Sequence, residues 1–381
     1  MAKPSAFDTL VIGGGVVGLA TAWHLAREGR TGVALVERFQ PGHDRGSSHG
    51  FSRITRSSYG HPLYVRLMQL AHAEEWPRLE RAAGRPLIHR TDGVFFGPAG
   101  GTFEEHATAV ASVGADVERI DAAEARRRFP IFRFPDAAGA LHDRTAGLVA
   151  AADTVEALAK QCVVEGVHRL DHTRVEAIER GGDRIEVVTD RGRLLAERIV
   201  VTAGSWAAQL LPELAERLTV RRQSVGYFRL DAPAEALRPG RFPVWIYLGR
   251  DANDSRYGLP EFGREGVKAA LHEVAGPSQD PDERPGPDPA TLDRIREFLE
   301  AQLAVRVVAC VHAETCLYTS TANEDYILDV LPGDPRIVVG SACSGHGFKF
   351  APLTGRLLAE LVTKGRTSVP AFEEHRAMFA L

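Results

Sequence analysis

Lysine is scarce in this 381-residue sequence, which has 46 Lys and Arg residues together. Its lysines are Lys3, Lys160, Lys268, Lys349 and Lys364. Lys349 stands between two phenylalanines, in the stretch SACSGHGFKFAP at residues 341–352. It is either a side chain whose stem packs on apolar surface while its head reaches solvent, or a fixed cation in a closed pocket. The small residues beside it favour the pocket, because they let the backbone approach a flat ligand closely.

An excess of positive charge is also lacking. The net charge of −4 at pH 7 gives no reason to expect nucleic acid or an anionic membrane as a partner. No apolar run approaches the roughly 18–20 residues that a membrane span needs. The first residues, MAKPSAFDTLVIGGG, lack the apolar core and cleavage site of a secretory signal, and the final FAL is not a peroxisomal SKL address. These absences predict a cytoplasmic protein.

Cysteine is sparse as well. Cys162, Cys310, Cys316 and Cys343 form no CxxC pair, so no zinc or other metal site is expected. In a cytoplasmic protein these thiols stay reduced. Taken alone, each is most simply a small buried hydrophobic residue.

The glycine-rich start of the chain carries the first motif. In FDTLVIGGGVVGLATAWHLAREGRTGVALVER, residues 8–12 predict a strand, 16–27 a helix and 33–36 a second strand. Gly13, Gly15 and Gly18 have the GxGxxG spacing that permits a tight turn, close approach to a pyrophosphate and close helix–strand packing. The helix N-terminus then faces the diphosphate, and Glu37 can accept the ribose hydroxyls. The motif predicts a dinucleotide without distinguishing NAD from FAD, and the lack of a second GxGxxG argues against a reductase that binds both.

The length predicts two domains, or one domain with a large insertion. Helical patterns are predicted at 62–83, 103–113, 122–128, 154–165, 291–303 and 353–362. Strand patterns are predicted at 87–96, 172–178, 184–189, 194–202, 218–230, 244–248, 305–319, 326–329 and 337–342. The stretch AGPSQDPDERPGPDPA at 275–290 predicts a surface loop. This order predicts a mixed α/β fold: a Rossmann-type domain of residues 1–86, 150–217 and 320–381, with an inserted antiparallel-sheet substrate domain of residues 87–149 and 218–319.

Four further stretches, read together, carry a family resemblance. They are SSHGFSRITRSSYG (47–60), RYGLPEFGREGVKAALH (256–272), TCLYTSTANEDYILD (315–329) and CSGHGFKF (343–350). In this order and spacing they resemble the monomeric sarcosine oxidase and N-methyltryptophan oxidase family, FAD-dependent amine oxidases of the D-amino-acid-oxidase-like superfamily. The resemblance covers nearly the whole chain. It implies that the Rossmann-type domain binds FAD.

The resemblance also implies roles for individual residues. Cys316 matches the cysteine that carries FAD covalently, through a thioether to the flavin 8α-methyl group. Arg56 and Lys349 match the pair that holds the substrate carboxylate, for which a planar fork and a compact charge are suited. Lys268 matches the lysine near flavin N5 that promotes reaction with O2, where a fixed cation stabilises superoxide. The Gly345 carbonyl matches the acceptor for the substrate amine.

Further residues are expected at the site from the same resemblance. The resemblance implies His272 and Tyr257 beside the substrate, and His49, Arg53, Tyr318 and His346 beside the flavin. Ile246 is also expected beside the substrate, but it lies in a stretch, residues 245–247, whose length differs from the family's. The other expected cofactor contacts are Val16, Val17, Arg38, Ser47, Ser48, Val175, Ala203, Gly204, Trp206 and Gly347.

Without the resemblance, several of these residues have simpler interpretations. Lys268 is then an exposed strand lysine, Cys316 a buried strand cysteine and Arg56 a surface arginine. His272 follows Lys268 by four residues, but the local pattern is strand-like, so helical facing cannot be assumed. Cys343 stands where the family often has an apolar or aromatic residue, which leaves a second thiol as a candidate for the flavin link.

The sequence therefore predicts a monomeric FAD-dependent oxidase of a secondary α-amino acid. A hydride leaves the carbon next to nitrogen, O2 accepts the electrons to give H2O2, and the imine product hydrolyses; a neutral amine needs no dedicated base. Alternatives that stay open are a dehydrogenase that reduces a carrier, a partner-dependent oxidase subunit and a tRNA-modifying flavoprotein, although the net charge argues against the last. The sequence does not distinguish sarcosine, other N-methyl amino acids and cyclic amino acids as substrates.

Overall fold

The computed structural model describes residues 5–251 and 254–381. Residues 1–4, which include Lys3 and begin the predicted domain range 1–86, lie outside the described residues, as do residues 252–253 of the predicted range 218–319. The strands are β1 (Ser5–Ile12), β2 (Val33–Val36), β3 (Ser52–Thr55), β4 (Ile88–Arg90), β5 (Gly93–Gly97), β6 (Val117–Ile120), β7 (Gly139–Asp143), β8 (Gly147–Ala150), β9 (His168–Leu170), β10 (Val175–Glu179), β11 (Ile185–Thr189), β12 (Gly192–Val201), β13 (Thr219–Leu230), β14 (Val244–Tyr247), β15 (Ser255–Leu259), β16 (Val267–His272), β17 (Val307–Ser320), β18 (Ile327–Val330) and β19 (Ile337–Ser341).

The helices connect these strands and cover the sheets. They are α1 (Val16–Arg27), α2 (Pro62–Leu70), α3 (Trp76–Ala83), α4 (Gly101–Ser112), α5 (Ala122–Arg128), α6 (Ala151–Val164), α7 (Ala207–Leu210), α8 (Pro289–Gln302), α9 (Ala351–Lys364) and α10 (Pro370–Glu373). Short 3₁₀ turns include Gly204–Trp206 and Phe348–Phe350.

The first sheet has a parallel centre. Its strands run in the order β10-β11-β12-β1-β2-β9, and β19 pairs in parallel with the carboxyl end of β12 and antiparallel with β18. The segment Leu10–Ile12 and the whole of β2 are buried, as expected for strands covered on both faces. Helices α6 and α9 pack on α1. The prediction of a mixed α/β fold with a Rossmann-type domain is confirmed, and the glycine motif follows the carboxyl end of β1.

The second sheet joins two distant parts of the chain. Its order is β17-β13-β16-β15-β14-β5-β7-β6, so strands from 87–149 and from 218–319 share one sheet. The predicted sheet was antiparallel, but β14 and β5 pair in parallel, with Val244 opposite Gly93. A parallel pair is possible there because the long intervening chain supplies the crossover that parallel strands require. The division into two domains stays a prediction.

Two predicted elements are wrong in detail. The single strand predicted at 87–96 is two strands in two sheets: β4 pairs with β8, and β5 pairs with β7 and β14. The chain breaks between them at Asp92, whose φ is 56°, a value that disfavours a continuous strand. The helix predicted at 62–83 is interrupted by a π-helical turn over Ala71–Glu75, where the extra residue shifts the helical register.

Other boundaries differ by a few residues. The strand predicted at 172–178 begins at Val175. The short strands β3, β4 and β8, which form a third sheet in the order β3-β8-β4, include two that the sequence pattern does not predict. Within 5–251 and 254–381, no helix combines the length and the apolar character needed to cross a membrane.

Candidate active site

The turn between β1 and α1 is shaped by its glycines. Gly13 has a φ of 108°, and a Cβ there would lie 2.5 Å from the Thr202 carbonyl oxygen. A Cβ on Gly18 would lie 1.8 Å from the Gly13 carbonyl oxygen. Any side chain at these two positions would collide with backbone, so the turn brings β1, β12 and α1 as close together as a pyrophosphate cradle needs.

Glu37 is fixed at the end of β2. Its carboxylate accepts hydrogen bonds from the N–H groups of Gly14, at 2.6 Å, and Phe39, at 2.8 Å, and His43 Nε2 lies 3.4 Å away. Burial opposes ionisation, but the contacts with His43 and the two N–H groups outweigh it and hold the pKa of Glu37 below its ordinary value. An ionised acceptor therefore stands where ribose hydroxyls are expected.

A second loop, residues 46–51, leads into β3 and faces the glycine turn. The Val16 N–H at the start of α1 donates to Ser48 Oγ over 3.0 Å, and Ser47 Oγ donates to the Leu317 carbonyl over 2.6 Å. Arg53 donates to the carbonyls of Ser47, at 2.9 Å, and His49, at 2.7 Å. The loop is thus tied to the nucleotide-binding helix on one side and to β17 on the other.

Both loops open into one cavity of about 1090 Å³. It is lined by the predicted cofactor residues Gly13, Gly15, Val16, Val17, Glu37, Arg38, Ser47, Ser48, His49, Arg53, Val175, Ala203, Gly204, Trp206, Cys316, Gly345, His346, Gly347 and Lys349. Gly18 does not line it and acts through helix packing. Two buried nitrogens on the cavity wall, His49 Nε2 and Arg56 Nε, have no hydrogen-bond partner within the described ranges. A long cavity with a glycine cradle, a ribose acceptor and unpaired donors fits a dinucleotide such as FAD.

Three adjacent strands form the floor at the other end of the cavity. Tyr227 on β13 lies opposite Lys268 on β16 and His312 on β17. Two residues further along, Val225 lies opposite Ala270 and Glu314, and Cys316 follows on the same face. Because side chains alternate along a strand, Lys268 and His272 also share this face. Lys268 and His272 are four residues apart on β16, so they lie on the same face of the strand, a relation that the sequence pattern alone did not establish.

Lys268 is buried in this floor, with 4% of its surface exposed. Its ammonium donates to the Ser52 carbonyl at 3.2 Å and lies 5.9 Å from the centre of the Tyr227 ring. Burial, followed by the Arg53 charge, lowers the pKa of Lys268 to about 7, against opposing effects of Glu314 and Cys316. The interpretation as an exposed strand lysine is wrong.

The two candidate thiols lie near each other. Cys316 Sγ is 3.7 Å and Cys343 Sγ is 3.9 Å from the same carbonyl oxygen, that of Leu317. All four cysteines are free thiols. Burial raises the pKa of Cys316, while Arg53, 4.0 Å from the sulfur, acts in the opposite direction. Arg53 is thus the neighbouring cation, whereas His346, the other residue considered for this role, bonds Tyr326 at 2.6 Å.

Arg56 and Lys349 converge beneath an aromatic ring. The Arg56 guanidinium lies 4.2 Å and the Lys349 ammonium 5.6 Å from the centre of the Tyr59 ring. Lys349 is only 6% exposed and donates to the His346 carbonyl over 2.9 Å, so its head does not reach solvent. Burial and then the charges of Arg56 and Arg53 hold the pKa of Lys349 well below its ordinary value. Neither Arg56 nor Lys349 forms an ion pair with an acidic side chain of the described chain.

The backbone beside Arg56 is supported by a buried carboxylate. Asp143, fully buried on β7, accepts from the N–H groups of Ser57 and Ser58 at 2.7 and 3.0 Å. This contact fixes the chain direction immediately after Arg56. The sequence pattern gives no signal for it, because the two segments are more than eighty residues apart.

A tight turn at residues 343–347 closes the floor. Ser344 and Gly345 have φ values of 39° and 70°, and a Cβ on Gly345 would lie 2.4 Å from Tyr318 and 2.7 Å from His272. A Cβ on Gly347 would lie 1.8 Å from the Ala342 carbonyl oxygen. Small residues are therefore required here by close contacts with both backbone and ring atoms.

The remaining predicted substrate residues form one wall. The hydroxyls of Tyr257 and Tyr318 are 3.3 Å apart, and the His272 and Tyr318 rings lie 5.5 Å apart. His272 Nε2 is 2.8 Å from the carboxylate of Glu324, which lines the same cavity as Ile246.

Sequence reasoning missed several residues at the site. Glu314 and Glu324 line the cavity, and Tyr227 packs in its floor, where its hydroxyl donates to Glu314. Asp282 reaches the nucleotide end, where it accepts from Arg38 at 2.9 Å and Trp206 at 3.1 Å. Alternation along the strand could have identified Glu314, since it stands two residues before Cys316. Asp282 lies in the loop at 275–290, which was predicted only as a surface loop.

Comparisons with known proteins identify the family of the chain. The model of the family DAO, FAD dependent oxidoreductase, matches residues 8–361. Monomeric sarcosine oxidase of Bacillus sp. (strain B-0618) is 30% identical over 368 residues, covering 95% of this chain and 93% of that protein. Peroxisomal sarcosine oxidase of Mus musculus is 34% identical over 372 residues, covering 95% and 94%. N-methyl-L-tryptophan oxidase of Salmonella dublin is 29% identical over 366 residues, covering 95% and 96%.

Solved structures show the same fold. The open form of NikD, an unusual amino acid oxidase essential for nikkomycin biosynthesis, superposes with a TM-score of 0.83 at 25% identity, covering 99% of this chain and 97% of that one. L-proline dehydrogenase from P.horikoshii has a TM-score of 0.81 at 20% identity, covering 98% and 99%, which shows the fold alone. The predicted resemblance, and with it the prediction of an FAD-dependent amine oxidase, is confirmed at the level of the family. The chain belongs to the FAD dependent oxidoreductase family, DAO.

Proposed function

We propose that this protein is an oxidase of secondary α-amino acids such as sarcosine, other N-methyl amino acids or cyclic amino acids. The observation that carries the proposal is a pair of cations, Arg56 and Lys349, that faces the cavity without an acidic partner in the described chain. A buried cation without a counter-charge is costly, and a substrate carboxylate supplies that charge. The names of the relatives, sarcosine oxidases and an N-methyl-L-tryptophan oxidase, support the same substrate class.

Substrate orientation follows from this anchor. The Arg56 guanidinium offers a bidentate fork and Lys349 a compact charge. A bound carboxylate favours the ammonium form of Lys349, whose charge is otherwise opposed by burial and by Arg56. The Gly345 carbonyl then accepts the substrate amine, and Tyr257 and His272 enclose it.

A flavin held in this cavity would supply a two-electron acceptor. The hydride from the carbon next to the substrate nitrogen and the proton of the resulting iminium would together reduce O2 to H2O2, and the imine left behind would hydrolyse in water. The residues of the chain hold the neutral amine of the substrate in place. Loss of a hydride from a neutral amine needs no general base. Tyr257, Tyr318 and the turn at residues 343–347 line the substrate end of the cavity.

Reaction with O2 is assigned to Lys268. A buried cation stabilises the anion formed by the first electron transfer to O2, and Lys268 lies in the floor with its ammonium directed at a backbone carbonyl rather than at a carboxylate. This favours an oxidase over a dehydrogenase that reduces a carrier, because a dehydrogenase has no need of such a cation.

Covalent attachment of FAD is assigned to Cys316. Its thiol lines the cavity, and Arg53 at 4.0 Å favours the thiolate that attack on the flavin 8α carbon requires. Cys343 is the alternative thiol, since both sulfurs approach the Leu317 carbonyl.

The direct test is peroxide release from a panel of secondary amino acids with the purified chain. We expect turnover of at least one N-methyl or cyclic amino acid, and a single monomeric species in size-exclusion chromatography with light scattering, as the name monomeric sarcosine oxidase suggests. Flavin reduction without peroxide release would favour the dehydrogenase, and turnover only after addition of a cell fraction would favour a partner-dependent subunit.

A further inference from the structure

Lys268 has an unusual electrostatic setting. Its ammonium is buried and forms no ion pair within the described chain; its hydrogen bond goes to the Ser52 carbonyl. The charged and titratable groups that face it come from four elements: Arg53 on β3, His49 in the loop before β3, Tyr227 on β13, and Glu314 and Cys316 on β17. Of these groups, Glu314 is the carboxylate.

Glu314 is held in place by the same tyrosine that packs against Lys268. The Tyr227 hydroxyl donates to Glu314 Oε1 over 2.7 Å, and Tyr227 is the direct cross-strand neighbour of Lys268. On the opposite side, a Cβ built on Gly50 would lie 3.4 Å from Glu314 Oε1 and 3.5 Å from Arg53 Nη1. The carboxylate is therefore fixed between β13 and the loop before β3, which contains Gly50.

The balance of charge around Lys268 gives this carboxylate a role. Arg53 and Lys268 place two cations at the same part of the cavity, and each disfavours the charged form of the other. Removing an ammonium from water is costly unless a nearby negative charge compensates. A carboxylate that did not touch Lys268 would still compensate through space, because the interior screens charge weakly.

We propose that Glu314 is a positioning residue for Lys268: anchored by Tyr227, it is the counter-charge that favours the ammonium form of Lys268 in the floor of the cavity. The consequence for O2 reactivity rests on the proposed function, whereas the effect on Lys268 itself does not. In this arrangement Glu314 touches neither substrate nor O2 and acts only through the charge of Lys268.

The ionisation behaviour of both groups agrees with this arrangement. Burial and then Arg53 lower the pKa of Lys268 to about 7, and Glu314 acts in the opposite direction. Burial opposes ionisation of Glu314, but Lys268, the Tyr227 hydrogen bond, His49 and Arg53 outweigh it and lower its pKa. Loss of the Glu314 charge should therefore lower the pKa of Lys268 further, so that its ammonium is lost at a more acidic pH.

The scarcity of lysine makes this directly measurable. Holoenzyme is treated with cyanate across a pH series, because the neutral amine is the form that is carbamylated and isocyanic acid is small enough to enter the cavity. Peptide mass spectrometry then gives the titration of each lysine, with the exposed Lys160 and Lys364 as internal references.

In Glu314→Gln we expect the midpoint of Lys268 to fall by about one pH unit, which raises its labelling rate below both midpoints about tenfold. Tyr227→Phe keeps the charge but frees the carboxylate, so a smaller shift in the same direction is expected. Glu265→Gln removes an exposed carboxylate in the loop before β16 and should leave the midpoint unchanged.

An unchanged Lys268 midpoint in folded, flavin-loaded Glu314→Gln would overturn the proposal, as would an equal shift in Glu265→Gln. The pH dependence of flavin reoxidation by O2, measured by rapid mixing, distinguishes the effect of Glu314 on the Lys268 pKa from the proposed role of Lys268 in reaction with O2. A shifted labelling midpoint with an unshifted reoxidation profile supports the role of Glu314 and shows that the O2 role assigned to Lys268 is wrong.

Discussion

The two ends of the cavity differ in how their charges are balanced. At the nucleotide end, the chain provides its own partners: Glu37 accepts two backbone N–H groups, and Arg38 pairs with Asp282 at 2.9 Å. At the flavin and substrate end, Arg56, Lys268 and Lys349 donate to backbone carbonyls or face aromatic rings, and none pairs with an acidic side chain of the described chain.

This difference indicates where ligand charge matters. The nucleotide end is electrostatically complete before a ligand binds, so a single substitution there removes one contact among many. At the substrate end, Arg56 and Lys349 have no counter-charge in the described chain, at a cost to folding that is recovered when a substrate carboxylate arrives. Lys268 forms no ion pair with the described residues either, and its nearby carboxylate is Glu314. Substitutions at the substrate end should therefore have larger functional effects than substitutions at the nucleotide end.

The largest expected effect concerns the proposed covalent bond between Cys316 and the flavin. Cys316→Ala should abolish covalent flavin entirely, because Cys316 is the thiol to which the link is assigned and Arg53 lies 4.0 Å from its sulfur. The measurement is the colour of acid-precipitated protein and the mass of the peptide that contains residue 316. Cys343→Ala is the matched control and should stay yellow; the reverse result would assign the link to Cys343.

Reoxidation should respond next most strongly. Lys268→Met removes the buried cation, and we expect reoxidation of reduced flavin by O2 to slow at least about a hundredfold, equivalent to about 2.7 kcal/mol of lost transition-state stabilisation. Rapid mixing of anaerobically reduced enzyme with O2 measures the reoxidation rate. The rate of flavin reduction by substrate, measured without O2, should fall less. Lys364→Met, at an exposed lysine, is the control, and an unchanged rate in Lys268→Met would remove Lys268 from the O2 site.

The same comparison explains what sequence could predict. The nucleotide end can be predicted from residues close together in sequence. One βαβ unit contains Gly13, Gly15, Gly18 and Glu37, and this local pattern is typical of dinucleotide binding. The parallel sheet followed from the same unit. Asp282 was not predicted at this end, because it arrives from a loop about 240 residues away in the chain and carries no pattern of its own.

The substrate end could be predicted only through the family resemblance. Arg56, Lys268 and Lys349 lie far apart in sequence, and each has an ordinary interpretation when taken alone. Their convergence depends on pairing of β13, β16 and β17, and on the turn after β19, which local periodicity does not specify. The π-helical turn and the parallel β14–β5 pair were missed for the same reason, since both depend on tertiary contacts.

Loss of the carboxylate anchor should weaken binding by an intermediate amount. Lys349→Met leaves a bound carboxylate half-paired in a buried site, which typically costs about 2–5 kcal/mol, so the Kd for acetate or a thioether analogue should rise at least about thirtyfold. Spectral titration of the flavin measures it. Lys349→Arg should not restore carboxylate binding, because a planar fork differs in shape from an ammonium. A carboxylate-free amine should bind the parent and Lys349→Met with the same Kd. Equal Kd values for the carboxylate ligand would place the anion elsewhere.

A smaller change is expected from pH alone. The pKa of Lys268 is lowered to about 7, and the ammonium is the form that assists O2, so reoxidation should be fastest below pH 7 and decline as pH rises through it. Between one unit below and one unit above the pKa, the ammonium fraction falls about tenfold. The decline should vanish in Lys268→Met; its persistence there would assign it to another group.

The smallest effect is expected at the nucleotide end. Asp282→Asn removes the ion pair with Arg38, whose partners are both partly exposed. Such pairs contribute about 0.5–1 kcal/mol, so the Kd for FAD, measured by flavin fluorescence in the Cys316→Ala background, should rise only about two- to fivefold. The difference should shrink at high salt, because exposed charges are screened. Glu283→Gln, at an exposed carboxylate one residue away, is the matched control. A change as large as that from Lys349→Met would contradict the view that the nucleotide end is electrostatically complete without its ligand.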